Sequence, residues 1–203
     1  LPEKERKEMS GETKTVNRIP FHWAVAITVV ISLIPGLFFG KWNFTIWIAF
    51  ITWAEYFVFG ATPDVGKFML PSLLFGCFTA ALWMANWHAF ELLFKANYAS
   101  TFWTWVILSA TNFIWITGLV WGIGKVKLFG KAPLACFNGL TLYLAVYFTW
   151  LGGAKNVFPQ IGPLDSQWWV LFWAFIWTYA MEVFGYLLAA FNVWITFPKQ
   201  VKA

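Results

Sequence analysis

The segment WWVLFWAFIWTYAMEVFGYLLAAFNVWI, Trp168–Ile195, carries one charged side chain, Glu182, in an otherwise apolar and aromatic run. A helix that crosses a lipid bilayer needs about 20 mainly apolar residues. This run is longer than that, so it predicts a transmembrane helix that tilts or extends past the bilayer. The segment therefore indicates that lipid, and not water, surrounds the folded chain.

The composition of the whole chain agrees with this interpretation. Hydrophobic residues make up 60% of the 203 residues and charged residues only 11%, whereas soluble domains carry about 25% charged residues. Such a chain cannot cover a water-facing surface. Four of the nine acidic residues lie in the first twelve positions, so we predict a polar cytoplasmic tail at residues 1–19, a transmembrane domain at 20–197 and a cytoplasmic C-terminal tail at 198–203.

The other apolar runs predict five further spans, which are separated by clusters of Gly, Pro, Asn and Lys that are typical of loops. The runs are too long for strands and lack the two-residue alternation of a transmembrane barrel. Together they predict an all-α membrane protein with six transmembrane helices. The predicted spans are Phe21–Phe39, Phe44–Gly60, Phe68–Phe90, Thr101–Ile123, Ala132–Leu151 and Trp168–Ile195.

Positive charge is unevenly divided between the two sides that this topology defines. Eleven of the fourteen Lys and Arg residues fall on the side of both tails. Because Lys and Arg accumulate in cytoplasmic loops, we expect a multi-pass protein of the inner (plasma) membrane with both termini in the cytoplasm. No basic stripe or zinc-finger spacing points to nucleic acid. The eleven are Lys4, Arg6, Lys7, Lys14, Arg18, Lys67, Lys125, Lys127, Lys131, Lys199 and Lys202; the other three are Lys41, Lys95 and Lys155.

Two short motifs recur in the same order in the second half of the chain. The second span ends AEYFVFGA (Ala54–Ala61) and the fifth ends AVYFTWLGG (Ala145–Gly153). The third contains FGCFTAA (Phe75–Ala81) and the sixth contains FGYLLAA (Phe184–Ala190). Since each half would hold an odd number of helices, the pattern predicts two inverted three-helix repeats, a plan that is common in transporters and channels.

Three of these stretches also carry a resemblance to a known family: FITWAEYFVFG from Phe50, PSLLFGCFTAALWMA from Pro71 and PLACFNGLTLYLAVYF from Pro133. Over roughly residues 21–195 the chain resembles the small bacterial inner-membrane proteins typified by YcdZ. The chain departs from the family in its higher Trp content and its longer fifth loop. The resemblance implies six helices and an inner-membrane location, and it brings no activity or catalytic residues. The matching positions are Tyr56, Phe57, Pro71, Ser72 and Gly76.

Two carboxylates, Glu55 and Glu182, lie inside the predicted second and sixth spans. A central charge costs at least about 2.5–3.5 kcal/mol on insertion scales, and burial favours the neutral acid, which can donate a hydrogen bond. One interpretation makes each acid a polar point on a solute or proton path. The other makes it a protonated group that hydrogen-bonds another helix and holds the bundle together. The sequence leaves both open, and it does not show whether the two acids face each other.

A weak candidate for a metal site lies at the outer end of the third span. His88 and Glu91 are spaced i, i+3 and would share one helix face, and Lys95 follows Glu91 at i+4. The other histidine, His22, opens the first span and is predicted on the opposite side of the membrane, so too few ligands are available for a zinc site. An interfacial ion pair between Glu91 and Lys95 is the simpler interpretation, and the other is a metal or proton-handling site shared with a partner chain.

The two cysteines and the many tryptophans give less specific signals. Cys77 and Cys136 fit no metal or redox spacing, so we expect small buried apolar side chains. Trp53, Trp115 and Trp177 fall deep in the spans, where they either pack between helices or line an aromatic path. The tryptophans near span ends fit an interfacial belt, namely Trp23, Trp42, Trp103, Trp168, Trp169 and Trp194.

Function is predicted only as a class. The sequence contains no Walker, dinucleotide-binding, serine-hydrolase, zinc-protease or haem-attachment motif, so it identifies no cofactor and favours a protein that is not an enzyme. The leading hypothesis is a small-solute channel or permease that uses Glu55 and Glu182. The alternative is a non-catalytic accessory subunit of a larger membrane complex, and a membrane enzyme with a metal at His88 and Glu91 is the weakest. We expect a homo-oligomer or a larger complex embedded in the lipid bilayer.

Overall fold

Helices account for most of the residues that the computed structural model of the chain describes. Each apolar run forms a helix, because this geometry satisfies the backbone hydrogen bonds within one segment. The described residues are 13–15, 17–39, 45–94, 101–153, 167–197 and 200–202. Within them lie α1 (Phe21–Phe39), α2 (Ile46–Val58), α3 (Gly66–Phe94), α4 (Thr101–Lys125), α5 (Lys127–Gly130), α6 (Pro133–Gly153) and α7 (Gln167–Thr196), with the short strands β1 (Thr13–Thr15) and β2 (Gln200–Lys202).

Three stretches of helix are long and apolar enough to cross a membrane: Pro63–Phe90, Trp105–Lys125 and Trp168–Thr196. The apolar helices Phe21–Pro35, Ile46–Val58 and Pro133–Thr149 are shorter. The 13 residues of α2 span about 20 Å at 1.5 Å per residue, which is less than the ~30 Å of hydrocarbon in a bilayer. Three candidate spans are therefore established on length and composition, and six spans remain a prediction.

The bounds of α2 and α3 differ from the sequence prediction, and the short helix α5 was not predicted. α2 ends at Val58, because Gly60 and Ala61 adopt left-handed backbone with φ of 99° and 53°. A single 3₁₀ turn, Pro63–Val65, precedes α3. α3 begins at Gly66, two residues before the predicted start at Phe68. The predicted fourth loop is not fully irregular, since it contains the short helix α5.

The two tails meet at one end of the bundle. β1 pairs with β2 in antiparallel register, with Thr13 opposite Lys202. The Arg18 backbone N–H donates to the Thr196 carbonyl oxygen at 3.0 Å. The Arg18 guanidinium also lies 5.9 Å from the centre of the Trp194 ring, within the range of a cation–π contact. The polar tails were predicted as such, but this pairing was not.

Four helices form the centre of the bundle. The most extensive packing joins α3 to α6 and α2 to α7, and α7 also packs against α3 and α6. α1 lies on α7, and α4 lies on α3. α3 and α6 run parallel, because Leu73 lies opposite Gly139 while Trp87 lies near Phe148 further along both helices.

Glycines let the central helices touch backbone to backbone. A Cβ atom on Gly76 would collide with the Cys136 carbonyl oxygen and would lie 2.7 Å from the Leu140 nitrogen. A Cβ on Gly139 would collide with the carbonyl of Leu73 in the same way. Small residues of this kind permit close approach between helices in membranes, where van der Waals packing drives association.

We predict that Gly76→Ala destabilises the bundle, because the added methyl group would push α3 away from the α6 backbone. Overpacking of this kind costs about 1–3 kcal/mol. Gly118→Ala in α4 is the control, since nothing lies within 4 Å of the position of its Cβ, and it should stabilise the helix by about 0.5–1 kcal/mol. The free energy of unfolding in detergent micelles measures both effects. Equal stability of the two variants would contradict the contact between α3 and α6.

Candidate functional site

The two predicted carboxylates lie in the interior of the bundle, where α2, α3, α6 and α7 meet. The Glu55 side chain in α2 is 2% exposed and that of Glu182 in α7 is 0% exposed. The two are near enough for the charge of Glu55 to act on the Glu182 carboxyl. The sequence identified both residues and placed both in apolar helices, and the tertiary structure brings them to one place.

Glu182 lies against a thiol from α3. The Cys77 Sγ atom is 3.4 Å from Oε2 and 3.5 Å from Oε1 of Glu182. The same sulfur is 3.2 Å from the Gly139 carbonyl oxygen. Because a thiol has one hydrogen, Cys77 donates either to the α6 backbone or to Glu182. A change in the protonation of the Glu182 carboxyl can therefore alter the hydrogen bond that the Cys77 thiol makes between α3 and α6.

Glu55 lies among polar groups of α3 and α6. The Asn138 amide lies beside its carboxyl group, and the Cys136 thiol is close enough to feel its charge. Neither Glu55 oxygen has a hydrogen-bond partner of good geometry among the described residues. Ser72, which lies beside Cys136, likewise has no partner for its hydroxyl within the described segments.

Two threonine hydroxyls extend this polar region along the helices. Thr52 precedes Glu55 by three residues and Thr178 precedes Glu182 by four, so each shares a helix face with its acid. Both are fully buried, and neither hydroxyl has a partner among the residues that the structure describes. Buried polar groups in proteins are almost always hydrogen-bonded. This polar region, Thr52, Glu55, Ser72, Cys77, Cys136, Asn138, Thr178 and Glu182, is therefore the part of the bundle best suited to take up a proton or a small polar species.

The structure extends the predicted pair of acids with residues that the sequence did not identify as functional. Cys77 and Cys136 were expected to be small buried side chains, and both are buried free cysteines. Their polar role was missed, because Cys77 and Glu182 are 105 positions apart in the chain. Ser72 was noted only through the family resemblance, and Asn138 was not singled out. No local spacing links any of these residues to either acid.

The weak metal candidate gains no further ligand in the described residues. His88 is buried, and its ring lies 4.9 Å from the ring of Trp168 in an edge-on contact. The Glu91 side chain and Lys95 lie outside the described residues, so the predicted ion pair is not tested. His22 lies at the end of the bundle where the tails meet, far from His88. No group of three His, Cys, Asp or Glu side chains suited to a metal occurs in the described part of the chain.

The deep tryptophans pack between helices. Trp53 is buried against a cluster that includes Tyr56 and Met69, and Trp115 and Trp177 pack against the larger core cluster. These contacts favour the packing interpretation over an aromatic path. Among the predicted belt residues, Trp23, Trp168, Trp169 and Trp194 are exposed, whereas Trp42 and the Trp103 side chain lie outside the described residues.

Comparison with protein-family models, with curated proteins and with solved structures finds no match to the chain. The likeness to the YcdZ-like family therefore stays a resemblance drawn from motifs. The role of the site has to be argued from its own residues.

We predict that Cys77 and Cys136 do not react with a maleimide in the folded protein, because both side chains are 0% exposed and thiol reactivity requires access. Thr62→Cys introduces a thiol at an exposed turn and is the matched control. Mass spectrometry before and after unfolding in SDS counts the labelled thiols. Native labelling of Cys77 or Cys136 as fast as that of the control thiol would contradict the closed packing around the polar region.

Proposed function

We propose that the chain is a six-span membrane protein that moves protons, alone or with a small solute, through the polar region around Glu55 and Glu182. One observation carries the proposal: two carboxylates from different halves of the chain are buried within the four central helices, near enough for the charge of Glu55 to act on the Glu182 carboxyl. Carboxylates inside membrane domains almost always face the bundle interior or a cavity, and they mark proton relays and the pathways of ions or substrates. The energetic cost of burying two acids favours a functional role over simple packing.

The arrangement of the helices supports six spans. The three shorter apolar helices pack against the three that are long enough to cross. Each span would run antiparallel to the next. In α3 and α4, Phe75 lies against Gly122 and Trp83 contacts Thr111. In α6 and α7, Gly139 and Glu182 both contact Cys77, whereas Tyr143 contacts Leu171. Thr13–Thr15 pairs with Gln200–Lys202, so these segments of the two tails lie at one end of the bundle, which is consistent with the predicted location of both tails on the cytoplasmic side.

Equivalent glycine contacts support the inverted repeat. The recurring FG motif aligns Gly76 with Gly185, and the second motif, extended without gaps, aligns Ala49 with Leu140. A Cβ on Gly76 meets the backbone of Leu140, and one on Gly185 meets the backbone of Ala49. The contact between α3 and α6 thus corresponds to that between α7 and α2, as exchange of the two halves requires.

A pair of equivalent hydrogen bonds supports the inverted repeat for the outer helices α1 and α4 as well. Trp83 Nε1 donates to Thr111 Oγ1 at 3.1 Å, joining α3 to α4. Asn192 Nδ2 donates to Thr28 Oγ1 at 3.0 Å, joining α7 to α1. The FG alignment makes Trp83 and Asn192 equivalent, and each threonine also bonds the carbonyl four residues before it. One pairing departs from the symmetry: α6 packs on α7, whereas α2 packs far less on α3.

The chemistry of the region favours a proton as the species that moves. The polar region contributes carboxyl, thiol, hydroxyl and amide groups and contains no Lys or Arg. Backbone contact at Gly76 and Gly139 brings α3 and α6 together directly beside it. A proton requires only neighbouring acids and hydrogen-bonding groups, whereas a larger solute would require the helices to separate. Transporters place their sites at such a contact between repeats.

We predict that Glu182→Gln and Glu55→Gln each lower proton flux to the rate of empty liposomes, because an amide keeps the shape of the acid but does not take up the proton. The assay uses the purified chain in proteoliposomes with a trapped pH-sensitive dye and an imposed pH gradient. Asp64→Asn is the control, since Asp64 is an exposed carboxylate paired with Lys67 at 2.6 Å. Wild-type flux in both Gln variants, or a wild type that does not exceed empty liposomes, would overturn the proton role.

The accessory-subunit role remains the alternative, and the outer face of α4 is where a partner subunit would pack. α4 packs mainly against α3, and several of its large apolar side chains are exposed. Lipid or a partner subunit would cover such a face. We expect purification in mild detergent to yield the chain alone or as a homo-oligomer; stable copurification with an unrelated complex would favour the accessory role. The exposed side chains on α4 are Phe102, Trp105, Phe113, Ile114, Val120 and Trp121.

A further inference from the structure

An apolar groove opens on the surface where α3, α5 and α7 meet. Its volume is about 390 Å³. The parallel rings of Phe75 and Phe129 stack with 4.2 Å between their centres and hold α5 against α3. The groove is open to the surroundings, since Phe78 is 51% exposed and Leu128 is 37% exposed. The residues that line it include Pro71, Leu74 and Phe78 of α3, Leu128 and Phe129 of α5, and Phe175 of α7.

Three exposed lysines flank the lining residues Leu128 and Phe129 in the chain. Lys127 immediately precedes the lining residues Leu128 and Phe129, and Lys131 follows them. The backbone of Lys131 keeps helical angles, with φ −77° and ψ −23°, so Lys127 and Lys131 lie at i, i+4 on one face. Lys125 ends α4 just before this turn. All three lysines are exposed, and no acidic residue lies between positions 125 and 131.

We propose that the groove binds an anionic phospholipid, with one acyl chain along the phenylalanines and the phosphate group at Lys127 and Lys131. A hydrocarbon chain matches a lining that is entirely apolar, and ammonium groups bind phosphate oxygens. Basic residues at the end of a membrane helix recognise anionic lipids in this way. The proposal rests on the membrane location given under the proposed function, and it does not rest on proton movement.

Charge favours a lipid over a second copy of the chain in this groove. A two-fold dimer brings the same surface patch of both subunits together. The three lysines of one copy would then approach those of the other, and like charges repel. An anionic headgroup reverses this interaction and neutralises the lysines.

The test is native mass spectrometry of the full chain in detergent, titrated with phosphatidylglycerol or with phosphatidylcholine that carries the same acyl chains. We expect phosphatidylglycerol to bind more tightly. Lys127→Gln combined with Lys131→Gln should weaken its binding about 30-fold, because each basic residue near an anionic lipid contributes about fivefold, and should leave phosphatidylcholine unchanged. Leu74→Trp should weaken the binding of both lipids, because the larger side chain fills the groove.

The control variant is Lys14→Gln combined with Arg18→Gln, which removes the same charge at the N-terminal tail. If the control variant weakens phosphatidylglycerol binding as much as the lysine variant does, the effect belongs to general surface charge and the site is overturned. Unchanged phosphatidylglycerol binding in the lysine variant would also overturn the site. A dimer that Leu74→Trp dissociates without altering lipid binding would assign the groove to a second copy. A wild-type protein that conducts protons but binds the two lipids equally would overturn this site alone, and a wild-type protein that prefers phosphatidylglycerol but conducts no protons would overturn only the proton role.

Discussion

Backbone contact between helices is the constraint on which the rest of the structure depends. α3 meets α6 at Gly76 and Gly139, and α7 meets α2 at Gly185. Lipid is as apolar as the side chains that face it, so helices in a membrane gain little from hydrophobic burial and associate through close packing. The glycines shorten the distance between helices until backbone touches backbone. The carboxylates of Glu55 and Glu182 are enclosed by this packing.

The enclosure gives the two acids different surroundings. Glu182 meets a single thiol, which is shared with a backbone carbonyl of the neighbouring helix. Glu55 lies beside the Asn138 amide and near Cys136. In the repeat alignment Val146 is equivalent to Glu55, and Leu73 is equivalent to Glu182. Each half therefore supplies one acid at a position where the other half has an apolar residue. A site built from two inverted halves would therefore still be chemically asymmetric along a path for protons.

The periphery of the bundle differs from its centre in chemistry. The outer faces of α1 and α4 carry large exposed apolar side chains, including Val30, Phe38, Phe113 and Trp121. Among the described residues, exposed charge lies at the end where the tails pair, and α5 adds lysines near an apolar groove. A polar centre, an apolar rim and a cationic end are what a bilayer would impose on a bundle that spans it.

The sequence alone determined the helical class, the positions of the apolar runs and the two acids that lie within them. These properties depend on composition over consecutive residues, because a helix satisfies its own backbone and its apolar side chains favour lipid. The sequence did not predict that α2 is short or that the fourth loop contains a helix. The first feature depends on the left-handed backbone at Gly60, and the second accompanies the stacking of Phe129 on Phe75. Only the tertiary structure decided that Glu182 meets Cys77 and that Asn138 lies beside Glu55. Those contacts join residues that are far apart in the chain, and they depend on the crossing of helices at a few glycines, which no local pattern of residues encodes.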